Sequence, residues 1–167
     1  MCKTKVVNGR PVVSAIVLFP AHQLGGVIPP ILDFLVDTGA DKTLINAIDA
    51  EKLGIKYHLS AGGQSSATYD DVPLMKGPNM GGIGGGIATY EIPNVSLVLV
   101  TWSGNKIVES HQELLSCLYV PDSRVRAIPN LLGRDILGRF NFIMRAAEKT
   151  LELSRAAVRG TYTVSYL

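Results

Sequence analysis

Ile31-Leu32-Asp33-Phe34-Leu35-Val36-Asp37-Thr38-Gly39-Ala40-Asp41 is the stretch on which the reading of this chain turns. Six mostly apolar residues, short enough for a buried strand, run without a break into Asp-Thr-Gly. The strand holds the approach rigid. Thr can hydrogen-bond locally, and Gly lets the backbone come close to a partner or a bound chain. Asp37 is thereby presented at the end of a fixed support, as a working carboxylate must be. The same triplet also serves as an ordinary turn, with Asp as a turn former.

Working outward, the text is mainly β. Val12 to Phe19 is a β-branched, apolar strand, and Ala21 to Pro30 is a loop with two Gly and two Pro. Leu44-Ile45 is a short apolar step. Asn46 to Gly54 reads as a helix, with Asn46 as cap, Asp49 in the first turn and Gly54 as the stop. Ser60 to Asn79 is polar and Gly-rich, a long loop or irregular strand. Ile87 to Val100 and Lys106 to Val120 read as strands, Ile136 to Phe140 as a short helix. Phe142 to Met144 and Thr150 to Leu153 form a hairpin. Thr161 to Leu167 alternates, with Tyr162, Val164 and Tyr166 on one face.

The bulk properties are those of one packed domain spanning 1–167, with its core over about 12–154 and an extension over 155–167. Hydrophobic residues make up 47% and charged residues 18% of the 167, unlike a disordered chain. The net charge of +2 and the lack of a dense basic run give no electrostatic case for nucleic acid. Cys2 and Cys117 are too few and too far apart for a disulfide scaffold or a zinc site, and His22, His58 and His111 are scattered. No metal and no cofactor are expected. No apolar run approaches the ~18 residues of a membrane helix, and Met1 to Lys5 lacks the apolar core of a signal peptide. The expected setting is cytoplasmic.

Two more motifs follow. Gly81-Gly82-Ile83-Gly84-Gly85-Gly86 holds five Gly in six positions. It is not a phosphate loop: no Gly-Lys-Ser/Thr is present, and Ile87 stands where dinucleotide spacing needs Gly. A strand follows it, so it reads as the tip of a hairpin able to close over a cleft. Further on lies Asn130-Leu131-Leu132-Gly133-Arg134-Asp135.

In this order and form, the three motifs resemble the retropepsin family, the single-lobe aspartic peptidases of retroviruses and their cellular relatives. The resemblance covers roughly Ile31 to Leu153. It implies a mainly β, single-lobe acid-protease barrel with a flap hairpin and one or two short helices, working as a homodimer on peptide or protein substrates. Asp37 matches the catalytic aspartate, Thr38 the threonine that ties the two active-site loops together, and Gly39 the residue whose carbonyl accepts a substrate N–H. Asp41 matches an acidic residue that binds substrate main chain and pairs with the arginine of the later motif, here Arg134 beside Gly133. Leu35, Ala40, Lys42, Gly81, Gly82, Ile83, Gly84, Ile87 and Leu131 fall at substrate-binding positions. Gly86 departs from the family, which has a bulky residue there.

In such enzymes two carboxylates about 3 Å apart share one proton. This chain has one Asp-Thr-Gly, and Asp122-Ser123-Arg124 is not a second copy, so the other carboxylate is expected from an identical chain. The retroviral interface of terminal strands is not assured, because the chain runs on past the hairpin. The competing function is a non-catalytic peptide-binding or scaffolding module that retains the fold.

Overall fold

The computed structural model describes residues 2–19, 30–80, 86–103, 106–121, 128–145 and 147–155. In chain order the elements are β1 (Cys2–Val7), β2 (Arg10–Leu18), β3 (Ile31–Val36), β4 (Leu44–Ile45), α1 (Ala47–Lys52), β5 (Ile55–Leu59), β6 (Ser65–Tyr69), β7 (Val72–Pro73) and β8 (Met75–Lys76). Then come β9 (Tyr90–Ser103), β10 (Lys106–Tyr119), β11 (Asn130–Leu132), α2 (Arg134–Leu137), β12 (Phe140–Arg145) and β13 (Thr150–Arg155).

Period-2 patterning builds the barrel. Val13, Ala15, Val17 and Phe19 are fully buried, while the residues between them are only partly so. Successive strand side chains point to opposite faces, so one face of β2 becomes core. Leu32 and Phe34 of β3 and Val95, Leu97 and Leu99 of β9 meet them in one cluster. Each fully buried side chain of this size stabilises the fold by about 1.5–3 kcal/mol. The strand order β2-β3-β11-β4-β10-β9, with β2 also paired to β9, closes a six-strand ring. Closure leaves those strands without free edges. The expected mainly β, single-lobe barrel with few short helices is what the chain forms.

Outside the ring, β1, β13 and β12 extend the sheet. β1 pairs with both β2 and β13. Glu113 on β10 locks this extension on. It is 6% exposed and accepts 2.7 Å bonds from Arg139 and Arg155. A buried carboxylate needs such partners, because burying it unpaired would be costly.

The helix at Asn46 follows its local signals. Asn46 Oδ1 accepts the Asp49 N–H at 2.9 Å, Lys52 Nζ meets Asp49 at 2.7 Å, and Gly54 takes a left-handed φ of +89° at the stop. The second helix occupies Arg134–Leu137, earlier than Ile136 to Phe140, because Phe140 is already paired with Arg155 in the terminal hairpin. The polar stretch from Ser60, expected as a long loop or irregular strand, contains three short strands: β6 and β7 join β5 in a separate three-stranded sheet, and β8 joins the main one. The loop expected over 21–30 falls outside the described residues except for Pro30, as does the alternating tail over 161–167.

Candidate active site

β3 and β11 run parallel, with Leu35 opposite Leu131 and Val36 opposite Leu132. Their C-terminal ends release Asp37 and Gly133 side by side. The Asp37 N–H continues the ladder to the Leu132 carbonyl at 3.1 Å, and the Ala40 N–H turns back to the Asp37 carbonyl at 3.3 Å. The Gly39 N–H then donates to Asp37 Oδ1 at 2.8 Å. A Cβ on Gly39 would stand 3.2 Å from that same oxygen, so glycine keeps the carboxylate uncrowded. Asp37 is half-buried, and Thr38 and Gly39 are exposed.

The turn is welded to the start of α2. The Arg134 N–H donates to the Ala40 carbonyl at 2.8 Å and the Asp135 N–H to the Asp41 carbonyl at 3.2 Å. Thr43 Oγ1 donates to Asp135 Oδ1 at 2.7 Å and accepts the Gly133 N–H at 3.2 Å. The Thr43 N–H bonds the same carboxylate at 3.0 Å. Gly133 passes so close to the chain at Lys42 that a Cβ there would lie 2.4 Å from the Lys42 carbonyl carbon. Arg134 Nη2 donates to Asp41 Oδ1 within one chain. Both side chains are largely exposed, where such a pair contributes at most about 1 kcal/mol.

Three carboxylates gather here, and their surroundings differ. Asp41 is paired with Arg134 and Asp135 with Thr43. Asp37 has, among the described residues, the Gly39 N–H and no cation. Cys117, fully buried below, is no rival nucleophile. Burial pushes its thiol far above the usual range, Asp135 adds to this, and Lys42 opposes it.

Apolar residues floor the site. Leu44, Leu118, Val120 and Leu131 form a cluster against which Leu35, Ala40, Met80 and Ile87 pack. Met80 and Ile87 exchange two 2.9 Å backbone bonds, and behind them β8 pairs with the start of β9. The arms flanking the Gly-rich run are therefore antiparallel, as a hairpin requires. Gly81, Gly82, Ile83 and Gly84 lie outside the described residues. A hollow of about 210 Å³ opens between Gly39, Ala40, Asp41 and Lys42 on one side and Pro78, Asn79, Met80 and Leu118 on the other. Ile87 lines a separate groove of about 1090 Å³ with Tyr57, Leu59 and Tyr119. Leu35 also borders a hollow with Arg10 and Asp33. Among the described residues no cluster of His, Cys, Asp and Glu could hold a metal ion.

Sequence reasoning missed Thr43, Asp135 and Met80. Met80 had a signal, since it mirrors Ile87 across the glycine run. Thr43 and Asp135 are 92 residues apart and had none.

Among solved structures the chain is similar to the EIAV protease complexed with the inhibitor HBY-793. The two share 18% identity over 79% of this chain and 88% of that chain, with a TM-score of 0.43. No protein-family model and no curated protein matches the sequence.

Proposed function

We propose that the chain is an aspartic endopeptidase whose dyad forms when two identical chains each contribute Asp37. The observation that carries this reading is the contrast among the three carboxylates. Asp41 and Asp135 are committed to internal partners, while Asp37 is half-buried, without a cation among the described residues, and beside an apolar cluster. A second Asp37 beside it would share one proton with it, since like charges at that distance do not both ionise. One carboxylate then takes a proton from water, and the other polarises the scissile carbonyl. Leu35, Ala40, Met80 and Leu118, among the lining of the hollows around the turn, suit extended peptides with apolar side chains flanking the cut.

A surface for the second copy is available. β12 ends the ten-stranded sheet, and Phe142, Ile143 and Met144 on it are about half exposed. An apolar edge strand with no further strand beside it among the described residues is the kind of surface a second chain covers. Asp37→Asn tests the chemistry. Asn is nearly isosteric but cannot hold the shared proton, so hydrolysis of a peptide library is expected to vanish while folding and association persist. Full activity in the purified variant would remove Asp37 from the mechanism, whereas peptide binding without hydrolysis by the unaltered chain would favour the non-catalytic reading.

A further inference from the structure

A further hollow, of about 300 Å³, lies where β7 and β8 meet the start of β9, and shares no lining residue with the Asp37 turn. We propose that it docks an extended peptide segment carrying a bulky apolar side chain flanked by Lys or Arg. The inference holds whether or not Asp37 is catalytic.

Three features of the hollow define the occupant. The first is its wall. Tyr69, Leu74, Ile92 and Pro93 line it, and Val72 and Met75 stand 63% and 71% exposed on its lip. Scattered exposed apolar residues are ordinary, but two beside an apolar cavity make a continuous patch. The volume is at the lower end of the ~300–1,000 Å³ of ligand pockets, which suits a side chain or two.

The second is the backbone around it. β7 is the last strand of the three-stranded sheet and β8 the last strand of the ten-stranded one, with Leu74 between them. The hollow thus sits where two sheet edges meet. An added strand gains main-chain hydrogen bonds from an edge and specificity from a pocket for alternate side chains.

The third is charge. Asp70 and Glu91 line the hollow and no cation does. Their neighbour Asp71 is met by Lys56, whereas Asp70 and Glu91 have no ion pair among the described residues. Tyr69 pairs with Val72 across Asp70 and Asp71, both at positive φ. This is the two-residue hairpin turn that usually takes Asn-Gly. Here it holds carboxylates at the mouth, where they favour cationic flanks in an extended ligand.

Met75 and Met80 give the test two reporters, one at this hollow and one at the Asp37 side. The full chain, labelled at its methionine methyls, would be titrated with the capped pentapeptide Thr-Lys-Leu-Lys-Thr. Thr-Glu-Leu-Glu-Thr and Thr-Lys-Ser-Lys-Thr serve as comparisons. The expected result is a saturable Met75 shift with the first peptide and at least about tenfold weaker binding of the other two. Asp70→Asn with Glu91→Gln should weaken the first peptide about tenfold, as two lost surface pairings allow. Met75→Ser, at an exposed position, should keep the circular dichroism spectrum and lose the binding, read by calorimetry because the substitution removes the reporter. Equal response to all three peptides, a shift confined to Met80, or a Met75 shift driven by protein concentration alone would overturn the proposal. Because no readout is hydrolysis, failure here and failure of the peptidase reading are separate results.

Discussion

Gly133→Ala is the perturbation whose effect follows most directly from the geometry. Gly133 has an extended backbone, φ −87° and ψ 179°, so alanine meets no conformational penalty. The penalty is spatial. The added Cβ would lie 2.4, 2.5 and 2.8 Å from the Lys42 carbonyl carbon, its oxygen and the Thr43 nitrogen. All three are backbone atoms of the turn that carries Asp37 to Thr43, and none can rotate away. Overpacking typically costs about 1–3 kcal/mol, and rigid obstacles put this case at the upper end. Separating the strands also lengthens the Gly133 N–H bond to Thr43 Oγ1, already 3.2 Å, at about 1 kcal/mol more. The expected loss is therefore about 3–4 kcal/mol, a large share of a domain's ~5–15 kcal/mol. Urea unfolding at fixed chain concentration measures it. Gly62→Ala is the control: its nearest neighbour would be Ser60 Oγ at 4.0 Å, so a change within about 0.5 kcal/mol is expected. If Gly133→Ala is as mild as Gly62→Ala, the close approach is not a constraint and the account of the turn is wrong.

Thr43→Val keeps shape but removes the hydroxyl between Asp135 and Gly133; with a charged acceptor involved, about 1.5–3 kcal/mol should be lost in the same urea experiment. Arg134→Ala should change stability by less than about 1 kcal/mol, since both members of the pair with Asp41 are exposed; a loss of several kcal/mol in urea would mean the pair is far better shielded than it is here. Burial, then Glu51, Tyr57 and Tyr90, push the Tyr119 hydroxyl from 10.0 up to about 12. The unfolded chain therefore ionises first on the way up, and stability is intact below pH 10 and falls between pH 10 and 12, by less than the ~2.7 kcal/mol that two unscreened pKa units represent. Tyr119→Phe should flatten that fall in pH-dependent urea titrations.

What could be read in the sequence was what is encoded locally. Val12 to Phe19 announces its inward face by alternation, and Asn46, Asp49 and Gly54 bound a helix through contacts three residues apart. The polar residues of β6 to β8 are held by edge pairing and carry no apolar period, so the sequence leaves a long loop and an irregular strand equally open there. β1 was missed for a related reason: Cys2 to Val7 is short and mixes Lys and Thr with its apolar residues, and its strand character comes from lying between β13 and β2. At the site, Asp37-Thr38-Gly39 and Gly133-Arg134 stood out as motifs. That Thr43 and Asp135 join them depends on tertiary structure, as does the reason Gly133 must be glycine. Asn130 is similar: its amide spans Asn46, Asp33 and Asp49, and only the fold brings those together.

The central claim is a site completed by two chains, and specific activity against protein concentration tests it most directly. Peptide hydrolysis would be followed across a dilution series at several pH values, with sedimentation reporting the association state of each sample. The account predicts that activity per chain falls in step with the dimer fraction. It also predicts that the pH profile at high concentration is a bell whose limbs belong to the Asp37 pair jointly. Undiminished activity per chain in a sample shown to be wholly monomeric would contradict it.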